Sequence, residues 1–190
     1  MNLPEELQQQ LHYPPLQTID ANTGLPQDEN NFDALGQSAI VTFLAGLYKA
    51  VQTKQSAITV EKSAAPSELI AAIFDGNNDV ANTIAAYAHK PTDIAKAKLY
   101  EVAEGFISYF NAKSENTVIE NISTENTSLQ KLVGTQRNDI LKYVPGGLKI
   151  GDLLNDDTLE DDTNKMQGPI STLMHKIENA FSTPDEKENT

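Results

Sequence analysis

The chain has 190 residues, enough for one domain or two small ones with a core that needs no metal or disulfide. Its 27 acidic residues against 14 basic ones give a net charge of -13, which repels nucleic acid and anionic lipid surfaces. Cysteine is absent, which excludes disulfides, thiolate metal ligands and thiol nucleophiles. We therefore expect no nucleic-acid partner.

The start of the chain, MNLPEELQQQLHYPPL, carries acids and glutamines where a secretory signal would carry bases followed by an apolar block. The longest uncharged run, Ala34 to Tyr48, is shorter than the roughly 20 apolar residues that cross a bilayer. We expect a soluble, cytoplasmic protein without a membrane span.

Apolar residues recur at helical spacing along most of the chain, and no stretch shows the alternation of a strand. The first helix predicted in this way is a core helix with its large apolar side chains on one face. The helix predicted at residues 92–110 begins at Thr92, a candidate N-cap, and its inward-facing residues are Ile94, Leu99, Val102, Phe106 and Phe110. In the N-terminal part the spacing predicts helices at residues 39–51, 66–75, 79–88 and 92–110.

Residues 113–127 are polar and asparagine-rich, which predicts a linker or long loop between two helical units, 1–112 and 128–182. In the second unit, SLQKLV and QRNDILKYV predict short helices, followed by a stop at PGG and one more turn. The second unit packs on the first, as a separate domain or as part of one single domain, and residues 183–190 form a frayed tail. The predicted fold class is an all-α bundle of seven or eight mostly short helices.

The last predicted helix, QGPISTLMHKIENAF, has an apolar stripe at helical spacing. Its methionines add the adaptable surface that is common where helices dock in grooves. The stripe is a candidate partner face, and ordinary core packing is the alternative interpretation. Its residues are Met166, Ile170, Leu173, Met174, Ile177 and Phe181.

Two stretches share an internal similarity. TIDANTGLPQD, residues 18–28, and TIAAYAHKPTD, residues 83–93, are identical at five of eleven positions. In both, a short helix is expected to end, a proline-containing turn to follow and the next helix to begin. The similarity indicates either a duplicated helix-turn-helix unit or chance.

Three stretches carry a resemblance to a known family: ANTGLPQDENNFDALGQSAIVTFLAGLYKAV, LIAAIFDGNNDVANTIAAYAHKPTDIAKAKLYEVAEGFISYF and LVGTQRNDILKYVPGGLKIGDLL. They resemble a bacterial domain of unknown function, number nine-three-seven in words, with the YidB-like proteins as relatives. The resemblance covers about Thr18 to Leu154 and rests on apolar pattern and a few Gly and Pro positions. This chain departs from the family in YEVAEGFISYFNAK, where the family is rich in Gly and Ala. The resemblance implies an all-helical bacterial protein and brings no activity or site residues.

Two acidic stretches have some features of a cation site. DGNND begins like a calcium loop at Asp75, but Val80 and Ala86 stand where glycine and a bidentate glutamate are required. GDLLNDDTLEDDTN, residues 151–164, lacks the same pattern and is interpreted as an acidic connector. We expect no metal and no other cofactor. His12, His89 and His175 are too far apart in sequence for a zinc site, and we expect His89 and His175 to be structural.

The sequence contains no GxSxG, glycine-rich phosphate loop or dinucleotide fingerprint. We therefore expect a non-enzymatic helical module that associates with a protein partner or with itself, or that has a structural role. The alternative is a small-molecule or lipid-binding bundle with an aromatic-lined cavity. An enzyme would require acids from separate helices to converge on a buried cleft. The aromatic residues named for the cavity are Tyr87, Tyr100, Tyr109 and Phe106.

Overall fold

The computed structural model describes residues 2–20, 22–52, 54–74, 79–116 and 128–151. The described residues form eight α-helices and no strand, which confirms the all-α fold class. A single 3-10 turn, Glu29–Asn31, precedes the second helix. The helices are α1 (Leu3–Gln10), α2 (Ala34–Ala50), α3 (Lys54–Glu61), α4 (Pro66–Phe74), α5 (Asp79–Ala88), α6 (Thr92–Asn116), α7 (Ser128–Val133) and α8 (Arg137–Leu141).

The centre of the bundle is α2, which contacts α1, α3, α4, α5, α6 and α8. Every residue from Gly36 to Leu47 is buried, so this part of the helix has no solvent-facing side. The single apolar face predicted for α2 is therefore only part of its packing. Three polar side chains on the helix are buried as well, namely Gln37, Ser38 and Thr42.

Gln37 joins two other segments to α2. Its Nε2 donates to the carbonyl oxygens of Gln17, at 2.8 Å, and Tyr143, at 2.7 Å. Its Oε1 accepts from the Gln17 backbone N–H at 2.7 Å. The side chain thus satisfies backbone groups of the segment before α2 and of the turn after α8, which is how a polar residue is kept in the core.

The approach of α4 to α2 depends on a glycine. A Cβ at Gly46 would lie 2.5 Å from Cε1 of Phe74 and 2.7 Å from Cγ2 of Ile73. Any side chain at this position would therefore separate the two helices. The predicted boundaries of α4, α5 and α7 agree with the structure to within a residue.

The longest helix, α6, differs from its prediction at both ends. It continues to Asn116, so residues 113–116, which were predicted to open the linker, are helical. Thr92 is the first helical residue rather than the N-cap, because the first helical hydrogen bond runs from the Ala95 N–H to the Pro91 carbonyl at 3.1 Å. The Thr92 hydroxyl instead donates to Oδ1 of Asn82 on α5 at 3.0 Å.

The inward face of α6 also corrects one predicted position. Ile94 was expected to face inward, but its side chain is 47% exposed. The buried residues of α6 include Ala95, Leu99, Val102 and Phe106, which follow one another at steps of four, three and four. Ile94 lies one residue out of this phase, about 100° around the helix.

The internal similarity does not correspond to a repeated structure. Residues 83–93 contain the end of α5 and the turn into α6, as expected. The described residues of the first stretch, 18–20 and 22–28, contain no helix; Ile19 and Pro26 instead form an isolated antiparallel bridge. Gly24 lies inside this turn with a φ of 69°, a conformation that favours glycine.

The first helix, α1, joins α6 to the segment that follows α8. Tyr109 of α6 donates a hydrogen bond to Glu6, and Lys113 pairs with the same carboxylate at 3.3 Å. Tyr143, which follows α8, donates to Glu5. These bonds hold the pKa of both glutamates below its ordinary value.

Residues on both sides of the predicted linker share one hydrophobic cluster. α7 packs on α3, and α8 packs on α1 and α2. Leu129, Ile140 and Leu148 are buried in the same cluster as Phe43 of α2 and Phe106 of α6. The predicted stop at PGG is observed as a turn with Gly147 at a φ of 77°.

Candidate functional site

A small cleft opens between α3, α4, α6 and α7, with a volume of about 30 Å³. Room of this size holds about two water molecules or a small group of carbon atoms. It is assembled from parts of the chain that lie far apart in sequence. Its lining residues are Val60, Glu61, Ser63, Leu69, Phe106, Ile107, Phe110, Asn111 and Leu129.

The floor of the cleft is apolar. Leu69, Phe106 and Leu129 are each at most 2% exposed, while Ile107 and Phe110 are half-buried at its side. The rings of Phe106 and Phe110 stack with their centroids 6.2 Å apart. Residues one turn apart on α6 thus supply an aromatic wall, because its helical spacing puts them on the same side.

The rim of the cleft carries one carboxylate, Glu61, at the end of α3. Burial raises the pKa of Glu61, and a hydrogen bond from the Leu129 backbone N–H opposes this rise. That N–H belongs to the first turn of α7, where backbone donors have no partner within the helix. Glu61 therefore joins the end of α3 to the start of α7.

Glu61 is the ionisable group among the residues that line this cleft. The Ser63 hydroxyl donates to the Thr59 carbonyl at 3.1 Å, so its proton is used within the end of α3. Acid–base catalysis requires the acid to be placed with a second group and a substrate position. The lining of the cleft is mainly apolar, with one carboxylate at its edge.

The aromatic residues named for a ligand cavity do not come together around this cleft. Phe106 lines it, but Tyr109 points to Glu6 and Tyr100 lies under Lys96, with 5.9 Å from Nζ to the ring centroid. Tyr87 is half-buried on α5, and burial raises its pKa. The predicted aromatic cavity is therefore not found at the cleft.

Other predicted sites have mixed outcomes. The candidate partner face, from Met166 to Phe181, lies outside the described residues, as do residues 152–164 of the acidic connector. Residues 75–78 of the rejected calcium loop also lie outside them, while Asp79 is the first residue of α5. In the part of the chain that the structure describes, no group of three or more His, Cys, Asp or Glu residues is placed to hold a metal ion. No helix in the same part is long and apolar enough to span a membrane.

Sequence reasoning missed the cleft because it missed α3. The sequence of this helix, KQSAITVE, is short and contains β-branched residues, which have low helix propensity. The helical spacing of Ala57, Val60 and Glu61 is the signal that could have predicted α3. The first two of these residues are buried, and the third lines the cleft.

Comparison of the chain with protein-family models, with curated proteins and with solved structures finds no match. The resemblance to the bacterial domain of unknown function therefore stays a prediction. The class of protein that the described residues define is an all-α bundle with a small apolar cleft on its surface.

Proposed function

We propose that the protein is a non-enzymatic module that acts by associating with another protein, and that the cleft receives an apolar side chain from that partner. The observation that carries this proposal is the cleft itself, with a buried apolar floor and a carboxylate at its rim. Protein interfaces are commonly anchored by single apolar or aromatic side chains that fill small pockets.

The charge of the chain favours a partner with basic residues near its apolar anchor. The net charge of -13 steers basic partners towards this protein and repels acidic ones. At the cleft, Glu61 supplies the charge that a lysine or arginine of the partner would meet. An amphipathic helix with a basic flank has the required chemistry.

The size of the cleft suits a side chain of a partner protein better than a free small molecule or lipid. An engineered apolar cavity of about 150 Å³ binds benzene, and lipids need several times that volume. The cleft has about 30 Å³. It has room for the tip of a side chain that is held from outside by the rest of the partner.

Two aspartate substitutions on neighbouring residues of α6 test this proposal. Ile107 lines the cleft, whereas Ser108 is exposed and does not. We expect Ile107→Asp to lower the affinity for a captured partner at least about tenfold, and Ser108→Asp to leave it unchanged. Thermal melts of both variants verify that they are folded.

Capture of partner proteins and light scattering also show which outcomes would contradict the proposal. A protein retained equally by the wild type and both variants does not use the cleft, which contradicts the proposal. A strict monomer with no retained protein removes its support.

A further inference from the structure

The 39 residues 152–190, which follow the described part of the chain, include the predicted apolar stripe. Two lysines accompany that stripe, Lys165 and Lys176. They are eleven residues apart, which is three helical turns, so on a helix they share one flank of the stripe. On that flank, Lys176 lies one turn from Leu173. As a helix, the segment would have the apolar face and basic flank that suit a cleft with one carboxylate.

We propose that the stripe of residues 166–181 occupies the cleft of its own chain, with Lys176 beside Glu61, and that a partner protein binds by displacing it. This inference rests on the proposed function, since it assigns the resting occupant of the same cleft. The segment then acts as an internal competitor that lowers the affinity of the cleft for outside helices.

The connecting residues are long enough for this contact. Fifteen peptide units from Gly151 to Met166 span at most about 50 Å. A body of about 150 residues has a diameter of about 40 Å, from its expected radius of gyration. Half the circumference of such a body is about 60 Å, so the connector reaches most of the surface of the bundle.

Tethering makes the chain's own segment a strong competitor. A short connector gives an effective concentration of about 1 mM, about 100-fold above a partner present at about 10 µM. Met174 suits the small, irregular cleft because methionine is unbranched and adapts its shape. Burial raises the pKa of Glu61, since it penalises the charged carboxylate. The positive charge of Lys176 beside it would compensate that negative charge.

The absence of native cysteine allows a direct test by paramagnetic broadening on the full chain. A nitroxide is attached to Ser63→Cys at the cleft, and in the control protein to Thr23→Cys in the turn between α1 and α2. The methyl groups of Met166 and Met174 are observed by NMR and assigned with Met→Leu variants. We expect the Ser63 label, but not the Thr23 label, to broaden both resonances.

Charge reversal tests the pairing. We expect Glu61→Lys to lower the ratio of occupied to empty clefts about fivefold, and the double variant Glu61→Lys/Lys176→Glu to restore it. Lys165→Glu, at the other end of the flank, is the matched control and changes the ratio less. If the methionine resonances are broadened no more in the double variant than in Glu61→Lys alone, the assigned pairing is wrong.

Two results overturn the proposal. In the first, the label on Ser63→Cys leaves the methyl resonances of the two methionines sharp, or the labels at Ser63→Cys and Thr23→Cys broaden them equally. The other is equal broadening when the label is on one copy and the observed methionines are on another, which makes a second copy the occupant. Failure of the proposed function looks different, because the label then broadens the methionines as expected while Ile107→Asp leaves partner capture unchanged.

Discussion

Replacing Gln37 with leucine removes three hydrogen bonds while keeping a side chain of similar size in the core. The backbone groups that lose their partner are the N–H and carbonyl of Gln17 and the carbonyl of Tyr143. Gln37 is 3% exposed, and the bond to Tyr143 is fully buried. Water therefore replaces the partners of Gln17 more readily than that of Tyr143.

The expected cost follows from these bonds. Each lost hydrogen bond costs about 1 kcal/mol, and the carbonyl of Tyr143, left buried and unpaired, adds about 1 kcal/mol. The leucine methyl groups recover about 1 kcal/mol by burial. We expect Gln37→Leu to lower the free energy of unfolding by about 3 kcal/mol, a large fraction of the stability of a small protein.

Urea denaturation followed by circular dichroism measures this loss. Gln17→Ala is the matched control, because the bonds use the backbone of Gln17 and not its side chain; we expect a change within about 0.5 kcal/mol. Hydrogen exchange of the Gln17 amide should accelerate in Gln37→Leu and not in the control. A loss below about 1 kcal/mol for Gln37→Leu would refute the assignment of Gln37 as the residue that holds these segments on α2.

Three further substitutions test the packing and the α1 contacts. Thr42→Val should raise the free energy of unfolding by about 1 kcal/mol in urea melts, because the buried Thr42 hydroxyl has no hydrogen-bond partner among the described residues; a loss instead would reveal such a partner. Gly46→Ala should lower it, since overpacking against Phe74 of up to about 3 kcal/mol outweighs a gain of about 1 kcal/mol in helix propensity; an unchanged Tm would contradict this close contact. A double-mutant cycle of Tyr109→Phe and Glu6→Gln should give a coupling of about 1 kcal/mol at neutral pH. The hydrogen bond from Tyr109 holds the pKa of Glu6 below its ordinary value. The coupling free energy is therefore fully present at a pH above the ordinary pKa of a glutamate and is lost as the pH falls through the lowered pKa of Glu6. A coupling that does not change with pH would exclude the carboxylate as the acceptor.

Local sequence determined most of the helices. The period of the apolar residues and the punctuation by proline and glycine predicted α4, α5 and α7 closely, because these signals act within a few residues of each other. The same signals placed the start of α6 to within one residue but not its inward phase at Ile94. A single apolar residue at the end of a helix does not reveal whether a neighbouring helix covers it.

The tertiary structure decided what the local pattern left open. Two short helices, α1 and α3, were not predicted, because their stability comes from packing and from contacts such as those of Glu5 and Glu6. The burial of Gln37 depends on backbone groups 20 and 106 residues away, a separation that no local pattern contains.

The candidate site belongs to this second category. Its apolar floor uses residues that the sequence marks as core, such as Leu69, Phe106 and Leu129. That they leave a cleft beside Glu61 depends on how α3 and α7 sit against α4 and α6. The sequence by itself determined an acidic, all-α protein with its main helices. Only the tertiary structure decided where a cleft opens on its surface, because a cleft is a property of the space between helices and not of any one of them.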